Sequence, residues 1–497
     1  MSEIDELARP AGPVHQQHKM AWRPVLAITA VAAVVHLLVA ARYGWHRDEF
    51  YYVITGRHLA WGYADQPPLT PLLARFAAEL PGGVLPLRIL AIACQTGCVL
   101  LGAKLAAEFG GRARAQAIAA GAVATSTAFV AASVLFGTTV TDQVVWAAMF
   151  VAVARALRLR TTGAWLLAGL IGGIGLENKD TVAVLLLGVL VGLLMWHRDT
   201  LRTPGPWLAA GLAVAMAVPN VLWDAQHGWP NLAMAQVLSE RTGGPLGALA
   251  QLPLLALLAG PPLIVLCVMG VRWLGWGAGR DHRWTLAIAV TAVVVFTATG
   301  GKVYYPAPAL IALFAAGAVR AEATYRSRLR WPAVIVLSGL IAVLSGYPVL
   351  PPRAQNSLRA LNPTVMETFG WPEFVDQVKT AAATMPAGTP IFTSNYGEAG
   401  ALTILGPSAG LRNPVVTAQN AYGDWGPPDG NPGTVLCVGE FKTPYLQQFW
   451  SDVREIAPIT MPGNVRNEET DHHAAIYVCQ HPQGTWAQLW PSLRRYS

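Results

Sequence analysis

Charge is scarce in this chain: only 13% of its 497 residues are Asp, Glu, Lys or Arg. Soluble domains carry about 25%, so the deficit excludes an ordinary soluble protein. Cysteine is scarce as well, with five in all, which excludes a disulfide-built scaffold. Cys94, Cys98 and Cys267 fall within apolar runs and read as small packing residues. Cys437 and Cys479 fall in tail strands on the side expected to be oxidising, so a disulfide between them stays open at this stage. Blocks of like charge, low-complexity tracts and obvious internal repeats are all missing. The net charge of +7 is therefore spread over short clusters, and no nucleic-acid partner is expected.

What the chain has is apolar sequence. Hydrophobic residues make up 53% and mean hydropathy is +0.39. About eleven runs approach the 20 or so residues needed to cross a bilayer. They lie near 24–42, 86–107, 115–135, 141–158, 163–177, 181–197, 205–223, 246–274, 284–300, 305–321 and 331–350. The first lacks a cleavage site before the charged segment that follows, and reads as a retained helix rather than a signal peptide.

Basic residues orient the spans. With a cytoplasmic N-terminus, eighteen Lys and Arg fall in inner loops, Arg9, Arg326 and Arg328 among them, against eight in outer loops. This bias obeys the positive-inside rule. An odd number of spans then carries the C-terminal tail to the outer face of a plasma membrane, where the unusual polar motifs also converge. From about Pro351 the sequence changes character, with short apolar runs punctuated by Pro, Gly, Asn and Asp. Thr389–Ser394, Val415–Ala418, Val435–Gly439 and Ala475–Cys479 read as buried strands, and Pro372–Thr384 and Pro444–Ile456 as helices. The expected architecture is a polytopic α-helical membrane domain, residues 1–350, with a small extracytoplasmic α/β domain, 351–497.

Several polar groups stand out on the outer face. His46-Arg47-Asp48-Glu49-Phe50-Tyr51-Tyr52 follows the first run and opens an outer loop of about 43–85. Carboxylates near lipid are functional candidates, and Asp48 with Glu49 is such a pair; the plainer alternative is a surface ion pair of Asp48 with Arg47 or Arg57. Asp65-Gln66-Pro67-Pro68 follows, where a Pro pair stiffens the backbone behind an acid, or Asp65 merely caps a turn. Lys179 and Lys302, the latter beside Tyr304 and Tyr305, lie at outer ends of spans. Each either snorkels or meets a phosphate whose charge grows as it departs; Arg57, Arg75 and Arg88 compete for that task with better bidentate geometry. Asp142, after Thr141, reads as a helix N-cap. His227, in Asp224–Pro230, is a lone histidine beside Trp229. Ser394-Asn395-Tyr396-Gly397-Glu398 follows a strand and opens a helix, as a ligand contact or as an Asn cap.

The segment HRDEFYYVITGRHLAWGYADQPPLTPLLARF resembles the first outer loop of the polyprenyl-phosphate-dependent membrane glycosyltransferases of the C-type fold. It is most similar to the bacterial protein-mannosyltransferase-like family, which includes lipid A aminoarabinose transferases. GLENKDT, PNVLWDAQHGWPNL, GGKVYYPAPALIALFAAGA and TSNYGEAGAL extend the resemblance in order through nearly the whole chain. The resemblance implies inverting sugar transfer from a polyprenyl-phosphate donor to a lipid, glycan or protein acceptor. It makes Asp48 the base, with Glu49 adjacent as a metal or loop-fixing group, and places His46, Asp65 and Gln66 in the acceptor-side loop. Lys179, Lys302, Arg57, Tyr304 and Tyr305 fall on the donor-phosphate side. Where the aminoarabinose transferases read Glu-Lys-Pro-Pro, with the Lys on the donor phosphate, this chain has Gln66, which removes the charge. The family's histidine can join the first-loop acid at a divalent metal, and that carries to His227 with Asp65. The lack of a glycine-rich nucleotide fingerprint in the tail agrees with a lipid-linked donor. Two other classes remain open: a lipid-linked sugar transporter or flippase, whose charges would lie deep in several spans, and an inactive glycan-binding relative.

Overall fold

The computed structural model describes residues 18–324 and 329–496; Arg9, Arg326 and Arg328 lie outside the described residues. Most of the apolar runs form helices close to their expected bounds. Leu85–Glu108, Thr138–Leu159, Pro204–Gln226 and Ala307–Thr324 are long and apolar enough to cross a membrane. Seven apolar helices of 10–17 residues accompany them, including Trp22–Leu37, Thr162–Leu176, Thr181–Trp196, Trp284–Ala298 and Arg330–Gly346. Leu166, Leu170, Leu187, Leu190, Val214, Val221, Val290, Val294, Val336 and Leu340 point outward from these helices. Helices apolar on their outer as well as their inner faces suit a lipid surround.

Two runs are not single helices. The 115–135 run divides into Ala113–Thr125 and Thr127–Ser133, bent by 53°. The break is at Ser126, which is fully buried in an extended conformation and donates from Oγ to the Leu258 carbonyl at 3.1 Å. The 246–274 run becomes Gly244–Gln251, Leu254–Ala259, a 3-10 turn Pro261–Leu263 and Ile264–Trp276. Pro253, Pro261 and Pro262 lack backbone donors, and Gly260 takes φ +93°, so one continuous helix is excluded there. Both breaks matter below, because Thr127, Ala128 and Leu258 border the candidate site.

The 43–85 segment is itself helical, as Arg47–Arg57 and Leu69–Ala78. The tail holds a mixed five-stranded sheet: β1 (Ile391–Thr393), β2 (Val415–Val416), β3 (Val435–Gly439), β4 (Trp450–Pro458) and β5 (Ala475–Pro482). Their order is β2-β1-β3-β5-β4, with β1 parallel to β2 and β3, and β5 antiparallel to β3 and β4. The β4 strand corrects an expectation, since Pro444–Ile456 was read as helix and only Thr443–Leu446 is helical. Asp452, Arg454 and Glu455 make β4 a charged edge strand, whose polar face disguises it in the sequence while discouraging edge pairing. The disulfide that the sequence left open is not formed here: Cys437 lies opposite Tyr477 and Cys479 opposite Val435, a diagonal relation across β3 and β5 that leaves the two thiols in hydrogen-bond contact. Both thiols are free and buried.

Side chains alternate across β3. Leu436 and Val438 face a core with the helix Trp371–Ala382, while Val435 and Cys437 face one with the helix Trp486–Leu493. Phe50, from the helix Arg47–Arg57, is fully buried in the first of these cores. The tail and the first loop are therefore built around shared apolar side chains.

Candidate active site

The N-terminus of Arg47–Arg57 is held by a capping box. His46 Nδ1 accepts the Asp48 N–H at 3.1 Å, and the Glu49 carboxylate accepts the His46 N–H at 2.9 Å. Consecutive helix residues face different directions, so the two carboxylates separate. Glu49 turns inward and is fully buried. Arg88 Nε lies 2.7 Å from Glu49 Oε1, Arg88 Nη2 donates to Oε2 at 2.8 Å, and the Phe136 N–H donates at 3.1 Å. With its oxygens occupied by these donors, Glu49 has the geometry of a loop-fixing group, one of its two expected roles, rather than of a metal ligand or reacting acid. Arg88 pairs with Glu49 rather than lining the Asp48 cavity.

Asp48 turns the other way, into a cavity of about 380 Å³. Its polar lining includes His46, Tyr52, Thr139, Lys302, Tyr304 and Glu367; Ala128, Ala131, Ala132, Leu135, Leu258 and Ala307 form an apolar wall. Tyr396 donates its hydroxyl to Asp48 Oδ1 at 2.7 Å. Asp48 Oδ2 lies 3.8 Å from His46 Nδ1, and a third of the side chain stays exposed. Burial pushes the Asp48 carboxyl up, but His46, Arg47, the Tyr396 hydroxyl and Lys302 outweigh it and hold the group below the usual carboxylate range. It is an anion at neutral pH. The expected alternative, an ion pair with Arg47 or Arg57, does not form: Arg47 pairs with Glu468. Arg57, nine residues further along the helix, is about 13 Å from Asp48 by helical rise, and borders a separate cleft with Arg75 and Glu79. Neither Arg57 nor Arg75 lines the Asp48 cavity.

The expected lysine pair does come together. Lys179 Nζ donates to Thr139 Oγ1 at 3.2 Å and stands 4.9 Å from the Tyr305 ring centre and 5.6 Å from that of Tyr304. Lys302 Nζ stands 6.0 Å from the Tyr304 centre, so the two ammonium groups flank one aromatic pair. Burial lowers the Lys179 pKa, with Lys302 acting in the same sense against Asp142 and Asp180. Two like charges held together beside a cavity suit an anionic ligand. Asp142 is not a cap: Gly137 holds that position without a side-chain bond. Asp142 lies within the helix, accepting from Trp146 Nε1 at 3.1 Å and Thr181 Oγ1 at 3.2 Å.

Asp65 accepts from the Tyr51 hydroxyl at 2.9 Å and from Asn420 Nδ2 at 3.4 Å. Burial raises its carboxyl to about 7, with the Asp48 charge adding to the rise and the Tyr51 hydroxyl opposing it. Gln66 is buried, and its amide finds no hydrogen-bond partner among the described residues. Neither residue lines the Asp48 cavity. His227 stacks on Trp223 at 4.0 Å, its Nδ1 bonded to the Trp223 carbonyl at 2.7 Å. Among the described residues, the only three His, Cys, Asp or Glu ligands gathered within 4.8 Å are Glu440, Glu468 and His472. Neither His227 nor Asp65 belongs to that group: stacking and a backbone bond hold His227, and Tyr51 with Asn420 hold Asp65.

The tail supplies what sequence reading missed. Glu367 bonds His46 Nε2 at 2.8 Å, and Tyr396 bonds Asp48. Tyr396 belonged to a motif already singled out, whose Asn395 does cap a helix; Glu367 carried no local signal.

Residues 65–223 match the family model described as dolichyl-phosphate-mannose-protein mannosyltransferase. Over that segment the chain is similar to this family of membrane glycosyltransferases. Among solved structures, ArnT from Cupriavidus metallidurans bound to undecaprenyl phosphate is similar with a TM-score of 0.59 and 16% identity, covering 92% of this chain and 98% of that one. Its apo form gives the same TM-score and identity, covering 93% and 98%. At that identity the likeness is one of fold, and it runs through the tail as well as the helical part. No curated protein sequence matches the chain significantly.

Proposed function

We propose that this glycosyltransferase moves a sugar from a polyprenyl phosphate to an envelope lipid, glycan or protein on the outer face of the membrane, with inversion at the anomeric carbon. The observation that carries the reading is that Asp48 and Lys302 share one cavity. Asp48 Oδ2 takes the proton of the acceptor hydroxyl or amine as that atom attacks the anomeric carbon. The bond from that carbon to the phosphate oxygen breaks, and polyprenyl phosphate departs with its electron pair. Lys302, with Lys179 and the Tyr304–Tyr305 pair beside it, meets the growing phosphate charge. The apolar wall of alanines and leucines suits the first isoprene units, and the undecaprenyl phosphate held by ArnT supports a donor of that class. The proposed arrangement has about eleven spans, a cytoplasmic N-terminus, a membrane domain over 1–350 and an outer domain over 351–497. The basic-residue bias and the common position of the polar motifs support it.

The test is reconstitution of the full chain in liposomes with lipid-linked sugars extracted from host membranes, analysed by mass spectrometry. Free polyprenyl phosphate and a new glycoside of inverted configuration are expected. Sugar lipid that crosses the bilayer with its phosphate bond intact would replace this reading with a flippase.

A further inference from the structure

Asp48 Oδ1 receives its hydrogen bond from a residue almost 350 positions away, and the tail is shaped to deliver it. The helix Tyr396–Ile404 packs directly on Arg47–Arg57 through two glycines on one face. A Cβ on Gly397 would stand 2.6 Å from Arg47 Cβ, and one on Gly400 would stand 2.5 Å from Phe50 Cβ. Any side chain at either position would push the helices apart. Tyr396 is fixed at its other contacts as well. Its N–H donates to Gln419 Oε1 at 2.7 Å, its ring lies 4.7 Å from Tyr51, and the Arg47 guanidinium stands 4.8 Å from the ring centre. Asn395 and Glu398 close a capping box beneath it.

We infer that Tyr396 is a positioning residue for glycosyl transfer, its hydroxyl locking Asp48 Oδ1 so that Oδ2 faces the acceptor, and that the Gly397–Gly400 contact makes the tail an integral wall of the active site. The inference rests on the reading of Asp48 as the base. A carboxylate free to rotate samples many orientations, whereas one held at a single oxygen presents the other in a fixed direction. The groups facing Asp48 are His46, Arg47 and Tyr52 from its own loop and helix, Asp65 further along the same loop, Lys302 and Tyr304 from the segment after Trp284–Ala298, and Glu367 and Tyr396 from the tail. Burial, opposed by Arg47 and reinforced by Asp48, keeps the Tyr396 phenol well above its usual range. It remains a donor across the working pH range.

The test uses the full chain in membrane vesicles, host lipid-linked sugars as donor, and released polyprenyl phosphate as readout, from about pH 3, below the usual carboxylate range, to about pH 8. Tyr396→Phe removes one donor and keeps the ring. Its expected effects are a kcat about tenfold lower, an unchanged donor KM, and an acid limb of the rate profile about one unit higher, because the carboxylate has lost a stabilising hydrogen bond. Gly400→Ala keeps the hydroxyl but displaces its helix, and should lower kcat without raising donor KM. Wild-type rates and pH profiles in both variants would overturn the inference while leaving the base intact. Activity in Asp48→Asn would instead overturn the base reading itself. Should Tyr396→Phe fail to accumulate, Gly400→Ala decides: an unchanged kcat refutes the clamp.

Discussion

Glu49→Gln separates a structural carboxylate from a reacting one. Glu49 is fully buried, and Arg88, opposite it, is only 2% exposed. The pair is supported by two contacts, 2.7 and 2.8 Å long, and by backbone donors from His46 and Phe136. Neutralising Glu49 leaves the Arg88 guanidinium buried without a counter-charge, and breaking such a pair from one side costs about 3–5 kcal/mol. The expected result is a fall in thermal stability of the detergent-solubilised protein, followed by size-exclusion chromatography after heating. Arg88→Gln should cost a similar amount. The double variant should cost less than the two singles together, because no lone charge remains. Glu49→Gln with wild-type stability but no turnover would refute the argument and return Glu49 to the reacting groups.

Lys302→Ala should reduce turnover by about 100-fold, the scale of removing one preorganised charge-stabilising donor, whereas Arg57→Ala should leave polyprenyl phosphate release near wild type; equal losses in both would contradict the assignment of the cavity. Asp65 has its folded pKa raised to about 7, so the unfolded chain ionises first as pH rises. Wild-type stability should therefore lose a component between about pH 4 and pH 7, and Asp65→Asn should remove that component; parallel stability–pH curves for the two proteins would count against it. Alkylation after denaturation without reductant should modify all five cysteines, and a count of three would restore the Cys437–Cys479 bridge.

The fold was legible where one rule dominated. Long apolar runs such as 86–107 and 205–223 became helices, and β3 matched its expected range because its five residues are buried on both faces. Local sequence failed where long-range contact decided the outcome. Ser126 looked unremarkable within an apolar run, yet its bond to Leu258 stabilises a bend. The β4 strand is polar on most of its surface, and its identity comes from pairing with β5. At the candidate site, charge scarcity pointed to Asp48, Lys179 and Lys302, which the fold then gathered near Tyr304. The same scarcity pointed to Glu49 and Arg88, which satisfy each other instead. Burial on one side of a helix turn separated Asp48 from Glu49, and no spacing rule shows which of two adjacent carboxylates will face inward. Glu367 and Tyr396 reach the loop only through tertiary packing.

In the proposed reaction Asp48 accepts the acceptor's proton as a polyprenyl-phosphate sugar is cleaved. Asp48→Asn preserves the size of the side chain and can still accept from Tyr396 through its amide oxygen, so the loop should remain folded. Single-turnover release of polyprenyl phosphate from host lipid-linked sugars, measured with variant and wild type at equal folded concentration, tests it most directly. Donor binding close to wild type and a rate lower by about 100-fold or more are expected, the scale of losing a general base. Release at the wild-type rate by Asp48→Asn would contradict it.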